Sequence, residues 1–536
     1  MNDSNTKTGI GHFPTFRRLF GWLFTWGMIR RYLFVLVCLA TLLALYYAEE
    51  NWRGRRAWNR YRRELEALGE QLDFRAFIPK PVPDDQNFAS TPFIKSWFLK
   101  ENLASDGNSK LWQDDYMRIG YVSPLNAASK SDRHFVNLVA FGMAFEAIRS
   151  GRLKPHQEFN SDKQDPESRA KAAPTVLEGL KTSETNLAEL RVASRRPYSR
   201  YPVNYDLENP WGILVPHLAT IKGVIQRLRL RACAELVAGR SENALEDVKL
   251  MLGMADSLKD EPLLISYLVR LACMEIAILP VWEGLAEHRW SDSQLQECQS
   301  RLQQCDFLAD MKRPLDGERA SGILTADLLY RQKYRVSELF GLDAPDSAGS
   351  GFVNWVSRVA PLGWYYQEQL NYCRLYENQL GGTFDAAKKR VFPGQIQTRA
   401  HELEREIAGG RLGKTLNAVL HHQLLAAMLL PALGKLPLKA AMMQTATDQA
   451  ALACALERFR LSTGQFPEKL DALAPRFLPR LPNDIITGES LKYRRTDDGR
   501  FVLYSVGWNE KDDGGRPGKT LFDEEQGDWV WRYPAE

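Results

Sequence analysis

Near the start of the chain the residues "YLFVLVCLATLLALYYA", at 32–48, run without a single charge between Arg30-Arg31 and Glu49-Glu50. An apolar run of this length lies at the lower limit for a helix that crosses a bilayer core. Tyr46, Tyr47 and Trp52 fit an interfacial aromatic belt at one end of it. Bulky Tyr46 spoils the small-x-small pattern of a signal-peptidase site, and Val37 stands before Cys38 where a lipoprotein site wants a small residue. The pattern predicts an uncleaved anchor at 32–48, contacting the lipid bilayer. The tail 1–31 before it is expected to be cytoplasmic or interfacial. Within that tail "FRRLFGWLFTWGMIRR" either lies along the membrane surface or extends the anchor helix. Basic residues flank the span on both sides (Lys7, Arg17, Arg18, Arg30 and Arg31 before; Arg53, Arg55, Arg56, Arg60, Arg62 and Arg63 after), so positive-inside counting gives no bias. The short N-terminal tail favours a cytoplasmic start and an extracytoplasmic bulk.

Residues 49–113 read as a juxtamembrane helix stopped at Gly69, followed by a Pro-rich stem, "FIPKPVPDDQNFASTPF", expected to be extended. From 114 to 423 helical spacing dominates. Leu214, Leu218, Ile221, Ile225, Leu228 and Ala232 form one apolar face, and Gly239 is placed to stop that helix at a tetratricopeptide-like turn. "PLLISYLVRLACMEIAILPVW" predicts a central apolar helix, and Ser291 with Gln294 has capping-box spacing. Helical hairpins are expected, although no repeat of fixed period appears. "DAPDSAGSG", at 343–351, reads as a loop. The pattern changes at 424–536. A helix ends before Gly464, a β-hairpin turns at Asp498 and Gly499, and "DWVWRYP" adds a strand. The fold class expected is therefore mostly α, with a C-terminal α+β module and one N-terminal transmembrane helix.

With 536 residues, two or more domains are expected. A net charge of +4 over that length gives no concentrated basic face, so no nucleic-acid partner is expected. The seven cysteines include no CxxC pair, and Cys298 and Cys305 are too far apart along one helix to bridge.

Candidate chemistry is sparse. "AGGRLGKT", at 408–415, matches a loose phosphate-loop pattern, but such a loop must follow a buried strand, and "RAHELEREI" precedes it. No nucleotide is expected. "HELER" has Arg405 where a zinc protease needs its second histidine, and the neighbours His421 and His422 diverge on a helix. No GxSxG motif appears. Trp364, Tyr365, Tyr366, Tyr372 and Tyr376 suit a core as readily as a sugar platform.

The strand "LYSVGWNEKDDGGR" opens into a loop of hard oxygen ligands, although Lys511 and Thr520 break the EF-hand template. Together "ALERFRLSTGQFPEKLDAL", "LPNDIITGESLKYRR" and "GRFVLYSVGWNEKDDGG", over roughly 447–515, resemble the head of type II secretion major pseudopilins. The matching features are a helix, a G-x-[YF]-P turn at 464–467, a Pro-Asp segment at 482–484 and a hairpin. The resemblance implies a calcium-binding loop, for which Asn509, Asp512, Asp513 and Asp528 are the candidate ligands, beside the plain alternative of a solvated acidic turn. It departs from that family because 32–48 lacks the Gly-Phe processing site and glutamate of a pseudopilin anchor. The layout is similar to bacterial single-pass membrane-anchored proteins that end in such a module. These readings favour a non-enzymatic envelope protein that binds a protein partner. The alternative is an extracytoplasmic hydrolase with its site in the helical domain.

Overall fold

In this computed structural model the described residues are 26–99, 133–152, 159, 161–162, 164–208, 210–330, 359–408, 417–418 and 420–532. Most of the tail before the anchor and the loop expected at 343–351 lie outside them. The chain divides into two compact units, one of 1–68 with 326–371 and one of 69–325 with 372–536.

The first unit is built on one unbroken helix, Trp26–Ala67. The anchor and the juxtamembrane helix are thus a single rod whose surface changes character along its length. Leu33, Phe34, Leu36, Leu39, Leu42, Leu43 and Leu45 are all exposed. Three helices among the described residues are long and apolar enough to cross a membrane. Only in Trp26–Ala67 is none of the apolar window buried; in Leu264–Ala286 and Leu424–Thr463 the figure is 56 %. Those two use their apolarity to pack, whereas among the described residues nothing covers the apolar stretch of the first.

Past 48 the rod becomes Arg-rich but buries Glu50, Gly54, Trp58 and Leu65, one stripe at helical spacing. This half of the rod is therefore no free spacer. The first turn of helix Leu362–Leu380 crosses it there. The Gly363 N–H, one of the donors that a helix start leaves unpaired, donates to Asn51 Oδ1 at 2.7 Å. Gln367 Nε2 donates to Glu50 Oε2 at 3.0 Å. A Cβ on Gly54 would strike the Gly363 carbonyl, so the two backbones meet only because both residues lack a side chain.

The second unit starts at Gly69, and the Pro-rich segment belongs to it. The extended Pro-rich stem expected within 49–113 is corrected over its described residues. Phe74 and Phe77 are buried against Ala320, Arg313 Nη2 donates to the Phe77 carbonyl at 2.7 Å, and the Phe88 N–H donates to the Tyr198 carbonyl at 2.8 Å. Single 3-10 turns at Phe74–Phe77, Asp84–Gln86 and Phe88–Ser90 replace the extended chain.

Helices Pro216–Val237 and Ser241–Asp256 form a hairpin around Gly239, whose φ of +75° suits glycine. Leu218, Ile221, Ile225, Leu228 and Ala232 are buried, whereas Leu214 lies before the helix and is exposed. The expected capping box forms at Ser291, which leads into helix Asp292–Leu302. Cys305 falls beyond that helix, and both it and Cys298 are buried free thiols.

The centre of the unit is helix Leu436–Thr463, ended by Gly464 at φ +86°. Between Leu436 and Arg458 it is buried on nearly all sides, and its many alanines allow close approach all round. Helices Leu264–Ala286 and Asp292–Leu302 pack on it, as do strands Phe501–Ser505 and Trp529–Trp531. The boundary expected at residue 423 therefore falls inside one compact unit. The sheet is antiparallel in the order Lys492–Arg495, Phe501–Ser505, Trp529–Trp531, with Tyr493 opposite Leu503 and Leu503 opposite Trp531. Gln449 Nε2 donates to the Trp529 carbonyl at 2.6 Å and ties helix to sheet.

One buried ion cluster ties the helices together. Arg169 Nη2 meets Glu283 Oε2 at 2.7 Å and Nη1 meets Glu287, while the Val136 N–H donates to Glu283 Oε1 at 2.7 Å. Arg169→Met leaves two carboxylates without their cation in an apolar setting, and is expected to cost about 3–5 kcal/mol. A lowered unfolding midpoint in thermal denaturation is the readout.

Candidate functional site

A cavity of about 360 Å³ lies among the described residues of the second unit. Four pieces of chain form it, one of them the turn after helix Asp292–Leu302 with Gln303 and Cys305. The central helix supplies Gln444 and Asp448, the segment after it supplies Arg480 and Asn483, and the tip of the two-stranded hairpin at 384–391 supplies Lys388 and Lys389. The hairpin is fixed in place by the Val391 N–H, which donates to the Ile485 carbonyl at 2.9 Å, and by Arg390 Nη2 donating to the Ile486 carbonyl at 2.9 Å. Lys389 is held at φ +51°, and its ammonium pairs with Asp306 at 2.9 Å.

Gln444 organises the floor. Its Oε1 accepts from the Phe307 N–H at 3.0 Å, and its Nε2 donates to the Cys305 carbonyl at 3.4 Å and to Asp448 Oδ1 at 3.0 Å. Asp448 is half-buried. Burial pushes its carboxyl up to about 7, and the nearby carboxylates of Asp306 and Asp484 push the same way; the Gln444 bond and the Lys389 charge oppose them. Asp484 itself is a buried structural acid. Its Oδ1 accepts from the Ile486 N–H and Ser505 Oγ, both at 2.9 Å, and its Oδ2 accepts from the Val506 N–H at 3.1 Å. The arrangement places one proton-exchanging carboxyl beside a lysine in a small polar cleft.

The four calcium candidates come together in the loops that follow strand Phe501–Ser505. Most of their oxygens accept from donors of the protein itself. Buried Asp528 accepts the Asp513 N–H on Oδ1 at 3.1 Å and the Gly515 N–H on Oδ2 at 2.6 Å. Asp512 Oδ1 accepts the Gly514 N–H and the Tyr504 hydroxyl, both at 3.0 Å. Asn509 Oδ1 accepts the Lys511 N–H at 3.0 Å, and its Nδ2 donates to Asp513 Oδ2 at 3.0 Å. Asn509 thus turns a donor, not an oxygen, toward Asp513. Among the described residues no group of three or more His, Cys, Asp or Glu is placed to hold a metal ion. In this arrangement the four side chains close the loops.

Other sequence candidates disperse. Helix Pro393–Ala408 precedes the phosphate-loop match where a strand is required, and the rest of that match, 409–415, lies outside the described residues. His421 and His422 sit in a turn, not a helix, with His422 at φ +55°. Tyr372 and Tyr376 are buried, their rings 6.4 Å apart, and form no open platform. Asp448 was missed in the sequence. Its only signal there is an acid in the middle of the alanine-rich run 446–455.

No protein family matches the chain, and neither a curated protein nor a solved structure matches it.

The cleft generates a pH prediction. In the folded protein Asp448 keeps its proton up to about pH 7, whereas the unfolded chain releases it near about pH 4. Between those values the unfolded state binds fewer protons, so stability falls as pH rises and levels off above about 7. Asp448→Asn is expected to flatten that slope in thermal midpoints taken from pH 4.5 to 7.5. An unchanged slope in the variant places the pH dependence elsewhere.

Proposed function

We propose that the chain is a single-pass membrane-anchored protein of the bacterial envelope whose large folded body lies outside the cytoplasm and serves as a scaffold for a protein partner. One observation carries the anchor. The apolar stretch of helix Trp26–Ala67 is uncovered, whereas the two other helices of comparable apolarity are more than half buried. A body of helical hairpins around one buried helix, without a gathered set of metal ligands among the described residues, supports binding over catalysis. In this reading the C-terminal helix and sheet are a pseudopilin-like head integrated into that body, and they stabilise it through Gln449 and the strand Trp529–Trp531. Phosphate-loop and nucleic-acid chemistry play no part in it.

A second reading, an extracytoplasmic hydrolase, is favoured by Asp448 alone. A carboxyl that titrates at about 7 beside Lys389 is suited to general acid–base work.

Topology tests the proposal. Outside the anchor the native thiols among the described residues are all buried, so a reporter must be introduced, and exposed Leu461 is a suitable place. Leu461→Cys is expected to react with an impermeant thiol reagent in intact cells whose outer membrane has been permeabilised. Reaction only after lysis puts the body in the cytoplasm and removes the envelope assignment.

A further inference from the structure

We propose that the turn at 359–362 is a second membrane contact, seated in the lipid headgroup layer beside the point where the anchor helix leaves the bilayer. The inference rests on the reading of Trp26–Ala67 as a membrane anchor. It goes beyond it by assigning a bilayer-facing role to a segment more than three hundred residues away in sequence.

Depth follows from the rod. At about 1.5 Å per residue, 32–48 spans roughly 26 Å, close to the hydrocarbon thickness of about 30 Å. Tyr46 and Tyr47 thus stand where the hydrocarbon ends. Tyr47 donates its hydroxyl to the carbonyl of Val359, so Val359 shares that depth. One turn further from the bilayer, Gly363 is locked to Asn51 and crosses at Gly54. The chain from 359 to 363 therefore climbs alongside the rod from the level of Tyr47 to that of Asn51.

Its side chains suit that position. Val359 and Leu362 are 43 % and 44 % exposed and flank Pro361, which is buried. They continue the uncovered apolar surface that Leu42, Leu43 and Leu45 present below them. Above them the rod offers exposed Trp52 with the Arg56 guanidinium 5.1 Å from its ring, an aromatic and a cation at headgroup level. A lipid surface accepts this order of apolar, aromatic and basic groups. It also gives buried Glu50 and its half-buried neighbour Asn51 a purpose, because they fix the second element at one height on the anchor.

The test uses the full chain in liposomes of phosphatidylcholine and phosphatidylglycerol, with Cys38→Ser as background. A nitroxide is attached at Val359→Cys or Leu362→Cys, with Leu42→Cys as the bilayer control and Leu461→Cys as the water control. At 359 and 362 relaxation by oxygen is expected to exceed relaxation by a water-soluble nickel complex, with an oxygen-to-nickel ratio several-fold above that at 461. Lipid-like behaviour at 42 with water-like behaviour at 359 and 362 overturns the proposal and leaves the anchor intact. Water-like behaviour at 42 removes the anchor and the proposal together. Protection from both relaxants with spin–spin broadening means that a second copy of the chain covers the turn, and it also overturns the lipid assignment. Circular dichroism of each variant shows that the exposed substitutions leave the helices folded.

Discussion

An apolar helix surface that the protein itself does not cover is the constraint on which this architecture depends. From Tyr32 to Tyr46 the rod carries one exposed large apolar side chain after another. Leaving each in water forgoes roughly 1.5–3 kcal/mol. Summed along the stretch, that reaches or exceeds the whole net stability of a typical domain, about 5–15 kcal/mol. Lipid removes the penalty. In the anchored form proposed above, the helix continues past the bilayer, and an unbroken rod hands its orientation to whatever is fixed on it. Asn51, Glu50 and the Gly54–Gly363 crossing fix the second element there.

The folded body solves a different problem. Its central helix, Leu436–Thr463, has no polar face to give to water and is covered on nearly all sides. Alanine dominates its middle because larger residues would hold the surrounding helices and strands apart. Polar atoms trapped inside are met by partners across elements. Gln449 reaches the Trp529 carbonyl, Gln444 reaches Cys305 and Phe307, and Arg169 reaches Glu283. Asp448 is the member of that helix whose carboxyl opens onto a cavity, and its place among Gln444, Lys389 and Asp306 gives it a chemical property that its helix neighbours lack.

How much of this was legible depended on the range of the interaction. The apolar N-terminal helix, the glycine stops at 239 and 464, the capping box at Ser291 and the hairpin turn at Asp498 and Gly499 are local events, and all of them were readable from neighbouring residues. The Pro-rich segment misled because prolines announce irregular backbone but not where Phe74, Phe77 and Phe88 go, and they go into the core. The loops carrying Asn509, Asp512, Asp513 and Asp528 are ambiguous in sequence for a related reason. Acids and glycines that bind a cation and acids that accept loop N–H groups have the same composition, and only the hydrogen bonds separate them. The Asp448 cleft could not be read at all, since it joins a helix, a hairpin, a turn and a loop that are distant in sequence.

The measurement that bears most directly on the account is the partition of the full-length chain after cells are broken and their membranes washed in alkaline carbonate. The account predicts that the protein stays in the pellet and is released only by detergent. Recovery of the intact chain in the carbonate supernatant would contradict it, because an uncovered helix of this apolarity cannot then have been held by lipid.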